Sequence, residues 1–337
     1  MSESKVIRNA WYMAGWSREL GRRPLGRRLL GEPVALFRDS GGVAHALHAE
    51  CPHRHGDLSR GRVVGDCIEC PYHGWRFAAG GRCERVPSLE GGGTLKAARV
   101  PAYPLREDAG VLWIWMGDPA EVTERLPGAE LYAESTRRSH TPSRPRLVRT
   151  SALAVLENTL DETHPHFAHT LGEDEPTVIP RREVEYLSDR RGLYFDIDVG
   201  KEHEYTNREK GNFLTRAIYG SKPLRSYRVG FELGGLVYFH LVCVEGGEML
   251  FSLNATPADS EQTWFFTDYA FAPGGLLRAT ATRWLQYKND WEDVALLESL
   301  LGEIRPDGVE LSVPADHPGL CLRGLYREWL SREQAAA

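Results

Sequence analysis

The chain has 337 residues, 42% of them hydrophobic and 26% charged, which is enough apolar content for one large domain or two with real cores. A formal net charge of −6 gives no electrostatic reason to expect nucleic acid or an anionic membrane as partner. Six cysteines in a chain of this length do not make a disulfide framework, and reduced thiols point to a cytoplasmic protein.

Met1-Ser2-Glu3-Ser4-Lys5 lacks the apolar core of a signal peptide, and the longest apolar stretch, Leu233 to Val244, is too short to span a bilayer. No repeat or low-complexity tract is evident. There is also no Walker-type or dinucleotide-binding glycine loop, so any NAD(P)H must be handled by a separate reductase.

Residues 1–118 read as short strands between glycine and proline turns. Val34–Arg38 and Val43–His48 flank Asp39-Ser40-Gly41-Gly42, and Trp75–Ala78 and Arg82–Arg85 flank Ala79-Gly80-Gly81; each pair predicts a hairpin. Val111 to Met116 closes the set as a buried strand. A stretch rich in proline and charge, 119–145, is expected to link this all-β domain to a second domain over 146–337. There a helical pattern runs from Ala152 to Thr170. Strands follow at Glu183–Tyr186, Leu193–Val199, Phe213–Tyr219, Ser226–Phe231, Val237–Val244, Met249–Thr256 and Thr263–Phe271. A long helix from Leu276 to Leu301 has Trp284, Trp291, Val294 and Leu301 as its expected apolar stripe, and a shorter one runs from Leu320 to Arg332. The layout is α+β, with a curved antiparallel sheet around a long C-terminal helix and a cavity between them.

The first domain carries Cys51-Pro52-His53 and Cys70-Pro71-Tyr72-His73, the second followed by Gly74-Trp75. Two thiolates and two imidazoles at this spacing are the ligand set of a Rieske [2Fe–2S] cluster: the cysteines hold one iron, and the histidines hold the other and raise the potential. A tetrahedral zinc site is the competing reading, since Cys67-x-x-Cys70 is a CxxC beside Cys51, His53 and His73. The two loops would then carry different motifs, and the Cys51–His53 spacing departs from a zinc knuckle. Cys67 reads as a small buried thiol, His55 as a loop residue near the cluster, and Cys83 has no assigned role. Gly56 and Tyr72 stand where respiratory Rieske proteins carry a second cysteine in each loop, so that class is disfavoured. A Rieske ferredoxin would stop near residue 118.

The second domain offers another constellation, Glu157-Asn158-Thr159-Leu160-Asp161-Glu162-Thr163-His164-Pro165-His166-Phe167-Ala168-His169. Non-haem ferrous oxygenases hold iron with two histidines and a carboxylate on one face. His164 and His169 are the candidates, with His166 as a local decoy. Five residues apart on a regular helix, their side chains would diverge by roughly 140°, so the backbone must deviate between them. Pro165 makes a break or a bulge plausible there. The carboxylate is expected from Asp290-Trp291-Glu292-Asp293 on the long helix. Asp293 leans toward the cavity, whereas Asp290 and Glu292 read as solvated helix charges.

Together with Asn9-Ala10-Trp11-Tyr12, these motifs resemble the Rieske non-haem iron oxygenase α-subunits of the vanillate O-demethylase and dicamba monooxygenase type, over nearly the whole chain. The resemblance implies a facial triad of His164, His169 and Asp293. It implies that Asp161 bridges the Rieske cluster of one subunit to the mononuclear iron of the next, that Asn158 lies near that iron, and that the assembly is a head-to-tail homotrimer. On the expected helix, Asn158, Asp161 and His164 are successive i,i+3 neighbours, and the Asp161 carboxylate can accept a hydrogen bond from the non-ligating nitrogen of His164. A helix-grip catalytic domain, a [2Fe–2S] cluster, mononuclear Fe(II), O2 and an NAD(P)H-dependent reductase or ferredoxin complete the expectation.

The expected reaction is hydroxylation or O-demethylation of an aromatic or natural-product substrate. Cis-dihydroxylation or N-demethylation is the alternative, and an electron-transfer Rieske protein is the rival class. Six arginines between residues 51 and 85 against four acids could form a basic rim for an acidic donor, or be ordinary surface charge. Tyr219, Phe231, Tyr238, Phe239, Phe251 and Phe265 could line a cavity or be plain core. His203, Arg216, His240 and Asn254 could orient a polar group or be satisfied buried residues.

Overall fold

The computed structural model describes residues 6–129, 131–132, 139–169, 178–198, 224–243, 248–271 and 276–336. By internal packing the chain divides into two units. One comprises Arg8–Leu126 with Thr256–Ser260; the other comprises Met1–Ile7, Pro127–Ala255 and Glu261–Ala337. Residues 133–138 of the expected 119–145 linker lie outside the described residues.

The first unit is built from three small antiparallel sheets. Trp11–Trp16 and Leu105–Asp108 flank Val111–Trp115, whose side chains are all buried. Leu25–Leu29, Glu32–Arg38, Ala44–His48 and Ala102–Tyr103 form the second sheet; Arg62–Val64, Cys67–Glu69, Arg76–Ala78 and Cys83–Arg85 form the third. The Leu25–Leu29 and Glu32–Arg38 strands turn at Leu30-Gly31, both at positive φ, as a two-residue hairpin matched to strand twist requires. The turn's amides are satisfied from far along the chain: Leu30 N–H donates to Pro257 C=O at 2.8 Å and Gly31 N–H to Ala258 C=O at 2.7 Å. Thr256 Oγ1 adds a bond to Met13 C=O at 2.9 Å. Phe37, Leu47, Leu58, Ile68, Phe77 and Val100 form an apolar core that also buries Cys51, Cys70, Trp75 and Cys83. Cys67 is half-buried rather than buried, and no ion-binding group among the described residues includes it.

The second unit is a wide antiparallel sheet with helices. Along the sheet, Ser139–His140, Thr263–Phe271, Glu248–Pro257, Leu236–Cys243, Leu224–Glu232, Gly192–Asp198 and Glu185–Tyr186 are neighbours in that order, and Arg146–Val148 also pairs with Thr263–Phe271. The expected strand Phe213–Tyr219, with His203, Arg216 and Tyr219, falls outside the described residues.

Four helices accompany the sheet among the described residues: α1 (Ala152–Leu160), α2 (His164–Ala168), α3 (Leu276–Leu297) and α4 (His317–Ala336). The single helix expected over 152–170 is thus two. Ser151 caps α1 by accepting from Ala154 N–H at 3.3 Å, and Asp161 ends it in an extended conformation, φ −77° and ψ 125°. Pro165 lies in the first turn of α2, where its missing N–H costs nothing.

The expected apolar stripe of α3 is corrected. Trp284 and Trp291 are exposed, at 49% and 59%, and the helix ends at Leu297 before Leu301. The buried side of α3 holds Gln286, Asp290 and Leu297. It docks through polar groups: Gln286 Nε2 donates to Thr267 C=O at 3.1 Å, and Thr267 Oγ1 donates to Asp290 at 2.8 Å. Arg146 and Lys288 cover the outward rings, with the Arg146 guanidinium 4.9 Å from the Tyr287 centroid and Lys288 Nζ 5.7 Å from that of Trp284.

Candidate iron sites

Two loops of the first unit share one backbone turn. Cys51 N–H donates to Gly56 C=O at 3.0 Å and His55 N–H to Cys51 C=O at 3.0 Å. In the second loop, Cys70 N–H donates to Trp75 C=O at 2.8 Å and Gly74 N–H to Cys70 C=O at 3.1 Å. His55 and Gly74 occupy the same place in this turn and both adopt positive φ, 56° and 70°. His55 is therefore a turn residue, and its Nδ1 is held by the Glu50 carboxylate. The turn brings Cys51 and Cys70, both buried, side by side; burial and the neighbouring Cys70 push the Cys51 thiol up to about 11. His53 and His73 stand together, their ring centroids 4.5 Å apart.

Thiols pair with thiols and imidazoles with imidazoles, but they do not converge on one point. Among the described residues, the group of side chains close enough to hold a single ion is His164, His169 and Asp293, and none of the four loop residues belongs to it. A tetrahedral zinc site needs all four donors around one ion, whereas a two-iron cluster needs two separated pairs. The donor set fits the cluster.

At the second site, the ligating atoms of His164, His169 and Asp293 lie within 4.8 Å of one another. Asp293 Oδ1 is 3.3 Å from His164 Nε2 and 3.5 Å from His169 Nε2. The backbone deviation expected between the histidines takes a definite form. His164 opens α2, and His169 has already left it in an extended conformation, φ −95° and ψ 125°. The two rings then meet at 5.4 Å between centroids instead of diverging around a helix. His166 is not in the ligand group.

Each histidine has its second nitrogen occupied. His164 Nδ1 lies 3.1 Å from the Asp161 backbone carbonyl, an obligatory acceptor, so Nδ1 carries the proton and Nε2 is left as a lone-pair donor. His169 Nδ1 is 3.2 Å from Glu292 Oε2, which fixes the same tautomer. Asn158 Nδ2 donates to Asp293 Oδ1 at 3.0 Å and holds that carboxylate in place. Two imidazoles and one carboxylate form the donor set suited to non-haem ferrous iron.

Three expectations change. The Asp161 carboxylate does not bond the His164 ring, from which it is 3.8 Å away; it accepts from Thr163 N–H at 2.7 Å, from Thr163 Oγ1 and from His164 N–H at 3.2 Å. The cause is the end of α1 at Leu160, which removes the i,i+3 geometry and turns Asp161 into a cap for the next helix. Glu292 is a partner of His169, with its side chain 15% exposed, and is not a solvated charge. Nor is Asp290, which is 4% exposed and pushed up to about 7 by burial. The helical phase of Gln286, Asp290, Asp293 and Leu297 was the available signal, masked by the brighter aromatic residues between them.

Among the expected lining residues, Phe231 and Phe265 are core, and buried Asn254 donates to Tyr132 OH at 3.0 Å. Phe239, Phe251 and Tyr269 form a run of part-buried rings, with centroids 5.4 and 4.6 Å apart. A cavity of about 420 Å³ opens over Asp196, Asp198, Arg225, Tyr227, Arg228 and His240, and none of the three iron-ligand candidates lines it. Three of the six arginines of the expected basic rim are ion-paired. Glu69 accepts from both Arg62 and Arg76 at 2.7 Å, and Arg82 pairs with Glu84 at 2.7 Å.

Comparison with known proteins bears on the N-terminal unit and on the fold. Residues 10–104 match the model of the Rieske [2Fe–2S] domain. The chain is 36% identical over 164 residues to the oxygenase component of chloroacetanilide N-alkylformylase from Rhizorhabdus wittichii, covering 48% of this chain and 47% of that one. It is 45% identical over 115 residues to the oxygenase component of dicamba O-demethylase from Stenotrophomonas maltophilia, covering 34% and 33%. The matched stretches thus span about half or less of those relatives' lengths. In three dimensions it superposes on the crystal structure of dicamba monooxygenase bound to dicamba with a TM-score of 0.82 over 98% of this chain and 99% of that one, at 22% identity, a likeness of fold. The N-terminal unit is a Rieske [2Fe–2S] domain. The two relatives matched over part of this chain are each an oxygenase component. No helix among the described residues is long and apolar enough to cross a membrane.

Proposed function

We propose that the chain is the terminal oxygenase component of a multicomponent monooxygenase, taking electrons from a separate NAD(P)H-dependent reductase or ferredoxin and acting on an aromatic or natural-product substrate. The observation that carries this reading is the convergence of His164 Nε2, His169 Nε2 and Asp293 Oδ1 in a chain that also holds a Rieske domain. Residues 1–118 supply the cluster domain, with Cys51, His53, Cys70 and His73 as its ligands; 119–145 link it to a catalytic domain over 146–337. His164, His169 and Asp293 would hold the mononuclear Fe(II), which would supply dioxygen activation.

The residues around the iron have separate tasks. Asn158 steadies Asp293, and the Asp161 carbonyl and Glu292 present the two histidines by their Nε2 atoms. The Asp161 side chain, 31% exposed, keeps an acceptor edge for a Rieske histidine of a neighbouring subunit in a head-to-tail homotrimer. Insertion of one oxygen atom consumes O2, two electrons and two protons, and the second atom leaves as water. When the attacked carbon is a methoxy methyl, the hemiacetal collapses to a phenol and formaldehyde, an outcome favoured by the likeness to dicamba O-demethylase. We place the protein in the cytoplasm.

The rival reading, an electron carrier, predicts two irons per chain; the oxygenase predicts three. Metal analysis of anaerobically reconstituted protein separates them. His164→Ala should remove one iron, abolish substrate-triggered oxygen uptake and leave the Rieske spectrum intact. Loss of that spectrum in His164→Ala would overturn the division of ligands. Oxygen uptake with a surrogate reductase across methoxylated, N-alkylated and hydroxylated aromatics then tests the substrate class.

A further inference from the structure

The two loops superimpose in their hydrogen bonds yet differ at the position five residues beyond each cysteine. In the first loop this is Gly56. A Cβ there would sit 2.8 Å from Cys70 Sγ and 3.3 Å from Tyr72 Cβ, so the position stays bare to let the loops close on one another. In the second loop it is Trp75, 8% exposed and packed into the apolar core. Its indole crosses to the other loop and lies flat on the His53 imidazole, with centroids 4.6 Å apart and planes 8° from parallel. His73 also meets the His53 ring, at 4.5 Å between centroids and 64° between planes. His73 itself is flanked by Tyr72, which is 62% exposed. One histidine thus rests on a ring fixed by the core, and the other rests on a ring in solvent.

We propose that Trp75 is a positioning residue for the Rieske cluster, fixing the plane of His53 and lowering the reduction potential through its π face. The inference rests on the reading of His53 as a cluster ligand. Two effects act in the same direction. The electron-rich face of an indole disfavours the negative charge that the cluster gains on reduction. The apolar surface also keeps water from one side of the ligand, and water would stabilise the more highly charged reduced form. Because the indole is locked by packing, the imidazole is the ring that conforms.

The test uses the full-length, cluster-loaded protein in a redox titration followed by EPR. Trp75→Leu keeps apolar bulk but removes the π face. It is expected to shift the reduction equilibrium toward the reduced form by roughly tenfold, about 59 mV for one electron, and to alter the g anisotropy as His53 is released. Trp75→Phe retains an aromatic face and should stay close to the parent in both measurements. Replacing the nine tryptophans with 5-fluorotryptophan weakens the π face without changing shape, so it should raise the potential of the parent but not of Trp75→Phe. This arm decides the matter if Trp75→Leu fails to hold its cluster. A fully loaded Trp75→Leu protein with the parent's potential and g values would overturn the proposal, as would a fluorinated parent that does not move. Absence of a Rieske spectrum in the parent would instead sink the ligand reading on which the proposal stands.

Discussion

Glu292 stands one residue before Asp293 on α3 and reaches the other side of the same site, 3.2 Å from His169 Nδ1. Its effect on a metal would be indirect: it decides which imidazole nitrogen keeps a lone pair. Replacing it with leucine should weaken iron binding at the second site by about 10- to 100-fold while leaving the cluster untouched, measured by chelator competition. Glu292→Gln can still accept from Nδ1 and should lose much less. At this scale the sequence was informative wherever chemistry forces a residue type, as in the Cys/His loops and the His164/His169 pair. It was least informative where a partner is chosen by geometry alone. Nothing in the local sequence distinguishes an Asp161 carboxylate that meets a ring from one that caps Thr163 and His164, because the difference depends on α1 stopping at Leu160.

At the scale of elements, α3 carries the clearest lesson. Its aromatic residues suggested one face toward the core, yet Trp284, Tyr287 and Trp291 are exposed, and the buried side is polar. Hydrophobic periodicity locates a stripe, but α3 docks through Thr267, an arrangement in which Asp293 lies beside His164 and His169. Asp290 bears the cost. It is held to about 7 by burial, against an ordinary value of 3.8. Below pH ~4 the carboxyl is protonated in both folded and unfolded chains. Between about 4 and 7 the unfolded chain releases its proton while the folded one keeps it, so this group's contribution to stability is lost as pH rises through that window. Three or so pKa units amount to at most about 4 kcal/mol. Asp290→Asn should therefore flatten the fall in stability between pH 5 and pH 7.5, measured by urea unfolding of protein stripped of the mononuclear iron. A slope as steep as the parent's would count against the assignment.

At the scale of the whole molecule, the unit holding the cluster loops is not one continuous stretch of chain. Residues 256–260 belong to it although 129 residues separate them from Leu126, and Ala258, 1% exposed, has its carbonyl bound by Gly31. Ala258→Asp, which buries an unpaired charge there, should lower the cluster content and thermal stability of the N-terminal unit more than a like change at an exposed loop position. Cluster absorbance during a thermal ramp would report it. Strand positions and hairpins of this unit were legible in advance because alternation and turn residues are local signals. The contribution of 256–260 was not, since no pattern near Leu30 names the carbonyls that its turn will need.

That discontinuity bears on inheritance and engineering alike. A recombination event, or a designer, cutting once near residue 126 to graft this Rieske module onto another protein would leave two turn amides without acceptors. A working exchange must carry both pieces, or supply a new loop that presents two carbonyls to Leu30 and Gly31. The module is portable only as a pair of segments, so chimeras between distant relatives should tolerate a double crossover better than a single one.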